Sequence, residues 1–171
     1  MNNSHKIIVI NLENHYGFKT AQAIQQLGYH PFVLNPKNAE LWLKENTAQA
    51  IILAGGSAEN ALQPPTETLL LQRHGRQVPI MGIDYGMDWL ASHLGGKVEK
   101  FVGCDSEYKE REVELNPVLM ARLGVIEKHQ NVLLGHGDVV STVPPEFSVM
   151  ARALADDEIV AMTNGPIWAV K

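Results

Sequence analysis

Gly82-Ile83-Asp84-Tyr85-Gly86 follows the apolar run Val78-Pro79-Ile80-Met81 and leads into an amphipathic run from Met87 to Leu94. A strand that turns sharply into a helix through G-x-Nuc-x-G is a nucleophile elbow. Its strained central residue stands at the carboxyl edge of a sheet, above a helix N-terminus. The central residue here is Asp84, where acyl chemistry expects serine or cysteine. The stretch therefore has the frame of a hydrolase without its usual attacking atom.

Working outward from the elbow, short apolar runs alternate with helical periodicity. Ile7 to Ile10, Pro31 to Leu34, Ala50 to Leu53 and Val78 to Met81 read as strands. Tyr16 to Leu27, Ala39 to Leu43 and Thr66 to His74 read as helices between them, and the helix after the elbow stops at Gly95-Gly96. Such alternation predicts an α/β fold: a mostly parallel central sheet with helices on both faces and functional loops at the strands' carboxyl ends. After Lys97 the pattern changes. Val98 to Phe101, Glu110 to Leu115, Val132 to Leu134, Val139 to Val143, Phe147 to Ala151, Ile159 to Met162 and Ile167 to Val170 read as strands, with one helix near Pro117 to Leu123. This half predicts an antiparallel extension of the sheet.

At 171 residues, 45% of them apolar and 19% charged, the chain has material for one filled core, and a single domain over 1–171 is expected. The net charge of −5 comes without any dense run of Lys or Arg, which argues against nucleic acid as a partner. The first strand is too short for a signal peptide's apolar region or a membrane span, so a soluble, cytoplasmic protein is expected. The lone Cys104 has no Cys or His at zinc-ligand spacing and reads as a small, partly buried residue. No cofactor or metal is expected.

Four motifs stand in order: Ala54-Gly55-Gly56-Ser57 after the third strand, the elbow through Met87, Leu94-Gly95-Gly96-Lys97-Val98-Glu99, and Gly135-His136-Gly137-Asp138 running into Val143-Pro144-Pro145-Glu146-Phe147. Their order and spacing resemble class I glutamine amidotransferases, and the last segment resembles the glutaminase part of GMP synthases. The resemblance runs from Ile7 to Val170. It implies a flavodoxin-like three-layer fold, truncated at its C-terminus, and a partner synthetase of the ATP-pyrophosphatase type.

Gly55 and Gly56 at a strand end let backbone N–H groups approach a ligand, and the Tyr85 amide points to the same spot; together they suit an oxyanion hole. A plain tight turn is the other reading of Gly55-Gly56. His136 reads as an assisting or positional group, and the resemblance gives Gly135, His136 and Asp138 a part in shaping a glutamine pocket and its border with the synthetase.

Three departures from the family pattern bear on function. Asp84 stands where the family has its cysteine; a carboxylate with an intrinsic pKa of about 3.9 at a helix N-terminus is anionic at neutral pH and a weak nucleophile. Asp88 stands where the family has a glutamine that helps hold the substrate. At roughly 4 Å from a substrate carboxylate and an effective dielectric of about 20, it would repel by about 4 kcal/mol. A solvated first-turn residue complementing the helix dipole is its alternative reading. Beyond the strand Ile167 to Val170 the family continues Gln-Phe-His-Pro-Glu, and the sequence stops at Lys171. The expectation is a binding or regulatory subunit unable to hydrolyse glutamine by the Cys-His-Glu route. The alternative is an enzyme in which Asp84 is nucleophile or general acid/base on an amide- or amine-bearing small molecule. In that case Asp84 and Asp88, at i and i+4, would share a helix face. Apolar surface beyond the last strand further suggests a homo-oligomer.

Overall fold

The computed structural model describes residues 6–12, 15–55, 63–65, 68–69, 78–100, 108–135 and 137–171. The chain divides into two compact units, Met1–Gly86 and Met87–Lys171.

In the first unit, four short strands form a parallel sheet in the order β2-β1-β3-β4: β1 Ile7–Asn11, β2 Phe32–Leu34, β3 Ala50–Gly55 and β4 Ile80–Asp84. Their apolar character explains their place. Ile8, Val9, Ile10, Ile51 and Leu53 are all fully buried, as expected of parallel strands covered on both faces. Helix α1, Tyr16–Gln26, packs on β1 and β3, and α2, Pro36–Glu45, packs on β1 and β2. Helix α2 is longer than the Ala39 to Leu43 periodicity predicts. Asn35 caps it, its side chain accepting from the Asn38 amide at 2.9 Å, and Pro36 sits in the first turn, where a missing N–H costs nothing. Of the helix expected over 66–74, all but residues 68 and 69 lie outside the described residues; Thr68 and Leu69 are buried.

Helix α3, Tyr85–His93, follows β4 without an intervening residue. Gly86 makes this possible: a Cβ there would collide with the Leu53 carbonyl oxygen and lie 3.0 Å from the Leu53 Cβ. Only glycine lets the helix begin this close to β3.

The second unit is antiparallel. Strands β6 (Lys109–Leu115), β7 (His129–Leu134), β9 (Ser148–Ala153), β10 (Ile159–Thr163) and β11 (Ile167–Val170) run in the order β11-β10-β9-β6-β7. β5 (Lys97–Lys100) pairs with β8 (Asp138–Thr142), which in turn pairs with β10. All five residues of β10 are buried. Val113, Leu115, Leu119, Met150, Ala151 and Val160 form the core here, and α4, Pro117–Leu123, closes over β9. Strand β7 starts three residues before the apolar run Val132 to Leu134, because His129, Gln130 and Asn131 pair with Glu114, Val113 and Glu112 of β6. Backbone pairing extends the strand where the side chains give no hydrophobic signal.

Among the described residues no helix is long and apolar enough to cross a membrane.

Candidate functional site

Strands β3 and β4 end side by side, and their register sets Gly55 opposite Asp84. Asp84, half-buried, has φ +51°, the left-handed conformation that non-glycine residues adopt at a cost of roughly 1–3 kcal/mol. Tyr85 then opens α3, nearly buried, and its hydroxyl accepts a hydrogen bond from Gln63 Nε2 at 2.9 Å. A Cβ on Gly55 would lie 2.9 Å from the Leu12 Cβ and 3.5 Å from the Tyr85 Cβ. The structure thus gathers Gly55, Asp84 and Tyr85 at the carboxyl edge of the parallel sheet, in the strained strand-to-helix turn that the motif predicts. Gly56 lies outside the described residues, as do His136 and Cys104.

Asp84 is the last residue of β4, and the helix begins one residue later. Asp84 and Asp88 are therefore not two positions of one helix, as the expected carboxylate pair requires: the first is a strand residue in the left-handed conformation and the second a residue of the helix's first turn.

Asp88 is the acidic residue in the first turn of α3 and is only 5% exposed, so it is not a solvated surface group. Its Oδ2 accepts from the Lys171 ammonium at 2.7 Å, and the side chains of the pair are 7% and 9% exposed. The Lys171 ammonium also donates to the Asp138 carbonyl oxygen. A buried carboxylate needs a partner, and Lys171 supplies it. The repulsion worked out for a bare Asp88 carboxylate therefore does not describe this side chain, whose charge is balanced within the second unit. Asp138 opens β8 and contributes its backbone to this cluster. Gly135, the residue after β7, lies against the Tyr108 ring; a Cβ there would come within 2.9 Å of Tyr108 Cε1.

Lys171 and Gln63 are the two contacts that sequence reading missed. The signal for Lys171 was present as charge complementarity, an acid in a helix that is otherwise apolar in this turn and a lysine after an apolar strand. Their separation of 83 residues hid it. Among the described residues no group of three or more His, Cys, Asp or Glu side chains is placed to hold a metal ion.

The family model described as Glutamine amidotransferase class-I matches residues 8–170. The glutamine-hydrolysing GMP synthase of Lactobacillus gasseri is 31% identical over 169 residues, which cover 92% of this chain and 31% of that protein. The chain thus spans about a third of the length of the curated relatives it matches. The solved structure of a candidate GMP synthase subunit from Thermoplasma acidophilum superposes with a TM-score of 0.77 at 19% identity, over 99% of this chain and 84% of the other. The PurLQS structure from Thermotoga maritima gives 0.70 at 15% identity, over 97% of this chain and 85% of the matched one. These likenesses establish the fold as the mixed α/β, flavodoxin-like one of the solved amidotransferases, and not a closed barrel. From the strand ends to the elbow and across the match over 8–170, the chain belongs to the class I glutamine amidotransferase family.

Proposed function

We propose that this chain is an amidotransferase-like binding or regulatory module, akin to the glutaminase part of GMP synthases, that does not release ammonia from glutamine by thiol attack. The observation that carries the reading is Asp84 in the left-handed turn between β4 and α3. Elbow geometry is present, and the residue that it displays is a carboxylate. A thiolate attacks an amide carbonyl and leaves as the acyl-enzyme is hydrolysed; a carboxylate would have to form an anhydride, and it is a far weaker nucleophile. An anion at this place also competes for the backbone N–H groups that would otherwise stabilise a tetrahedral oxyanion. The charged pair Asp88–Lys171 supports the reading, because a buried salt bridge replaces neutral amide recognition in the first turn of α3.

The partner in this proposal is a synthetase of the ATP-pyrophosphatase type, since the relatives named above are GMP synthases that extend well beyond the matched third. Sedimentation velocity of the chain mixed with such a synthetase tests it. A complex of equal affinity for wild type and Asp84→Asn is expected, and independent sedimentation of the two proteins would contradict it.

A second reading has one observation in its favour. Left-handed strain at a non-glycine residue is concentrated at working sites, and Asp84 keeps it. Asp84 would then act as nucleophile or general acid/base on an amide- or amine-bearing small molecule, with Gly55 and the Tyr85 amide framing the pocket. Turnover of such a compound, abolished by Asp84→Asn, would favour this reading over the first.

A further inference from the structure

On the side of the second unit the sheet ends on β7, His129–Leu134, which among the described strands pairs with β6 alone. The ladder fixes which way its backbone faces. The Leu115 N–H donates to the Lys128 carbonyl at 2.8 Å, one step beyond the pair Glu114 and His129, so Leu115 and Lys128 are a hydrogen-bonded pair and every second pair along the ladder is another. Gln130, Val132 and Leu134 therefore direct their backbone groups to β6, and the N–H and C=O of His129, Asn131 and Leu133 point away from it. The neighbouring ladder agrees: Glu112, opposite Asn131, turns its carbonyl the other way and accepts from the Leu154 N–H at 3.0 Å.

An open edge is a template for another strand, and proteins blunt such edges with short strands, proline, lysine or bulges. The edge strand of the first unit is blunted, since β2 has three residues and follows Pro31. β7 is not. Its six residues include neither proline nor lysine, and its register with β6 runs without a shift, unlike that of β5 with β8. Leu133 stands 67% exposed on it.

We propose that β7 is a dimerisation edge and pairs antiparallel with β7 of a second copy of this chain, about a two-fold axis at Asn131. This register sets Asn131 against the partner's Asn131 and His129 against the partner's Leu133, so all three outward-facing residues exchange both backbone bonds. It sets Gln130 against the partner's Val132 and Lys128 against the partner's Leu134, and no two like charges meet. A slip of two residues either way puts one of the three outward-facing residues opposite Glu127 or Gly135, outside the strand. A second copy fits this edge because the strand is complementary to itself in charge. Each chain offers one such long edge, so the association closes at two copies and does not grow into a fibre. The proposal is independent of whether Asp84 is catalytic.

Sedimentation equilibrium of wild type, Asn131→Pro and Asn131→Lys tests the pairing. Proline at 131 removes an N–H that β6 does not use, the kind of place where an edge strand accepts it. Lysine at 131 stands opposite Glu112 in its own protomer and against a second lysine across the axis. Wild type should dimerise, and both variants should raise the dissociation constant at least about tenfold with their circular dichroism unchanged. Should Asn131→Pro fail to fold, Asn131→Lys decides in its place. In a Cys104→Ser background, Asn131→Cys should cross-link on oxidation with copper phenanthroline, because a hydrogen-bonded pair on the axis has Cα atoms about 5.5 Å apart, within disulfide reach. Leu133→Cys, whose two copies would stand more than about 13 Å apart, should not. A wild type that stays monomeric at millimolar concentration would overturn the proposal. So would a dimer that neither substitution weakens, or cross-linking of Leu133→Cys as ready as that of Asn131→Cys.

Discussion

Gly86→Ala should destabilise the chain although it places a better helix former in the first turn of a helix. Propensity alone would favour alanine by up to about 1 kcal/mol, chiefly because the unfolded chain becomes less flexible. Against this stands the packing of α3 on β3. The new Cβ would collide with the Leu53 carbonyl oxygen and sit 3.0 Å and 3.1 Å from the Leu53 Cβ and carbonyl carbon. Those are backbone and backbone-proximal atoms of a strand whose Ile51, Leu53 and Ala54 are fully buried, so no flexible side chain can give way. The helix start must lift from the sheet, and because backbone has to move the cost falls at the upper end of the range for overpacking, about 2–3 kcal/mol. The net expectation is a loss of about 1–2 kcal/mol, which for a chain of this length lowers the thermal midpoint by roughly 3–7 °C. Differential scanning calorimetry or circular dichroism melts would measure it. A midpoint equal to or above wild type would refute the close approach of helix and strand.

The conformation of Asp84 predicts a stability order of Gly, then Ala, then Val at position 84, spanning about 2 kcal/mol in denaturant unfolding, because only glycine reaches φ +51° without strain and a β-branched residue suffers most. An unchanged or inverted order would remove the strain from the account. Asn116→Ala should cost about 2 kcal/mol and Asn35→Ala about 1 kcal/mol in the same assay, since both side chains cap a helix but Asn116 also donates to the Val149 carbonyl at 3.0 Å. Equal losses would show the second bond to be idle. The Glu114 carboxyl is held below its usual range chiefly by a hydrogen bond from Lys128, with the charges of Lys128 and His129 adding to it. The unfolded chain therefore takes up the proton first, so this pair's contribution is present above about pH 4.5 and is lost as pH falls through the lowered value; Glu114→Gln should flatten that acid limb of the stability profile.

Most of the architecture was legible because its signals are local. β1, β3 and α1 follow from apolar runs and periodicity, and the elbow from the spacing of Gly82, Asp84 and Gly86. Helix α2 outruns its apolar periodicity because its start is set by the Asn35 cap and Pro36 rather than by the spacing of apolar residues. Strand β7 was read short because its outer residues are polar and are held by pairing with β6 alone. The site divided in the same way. Gly55 and Tyr85 beside Asp84 are consequences of strand ends in register, which alternation of strands and helices foretells. Lys171 on Asp88 is a contact between residues 83 positions apart, and no local pattern encodes it.

Ammonia release from glutamine, followed for the purified chain alone and with an ATP-pyrophosphatase-type synthetase added, tests the central claim most directly. With Asp84 in the elbow, the rate should match the enzyme-free background in both cases. Steady release that disappears in Asp84→Asn would show that the carboxylate does the work of the thiolate and would contradict the account.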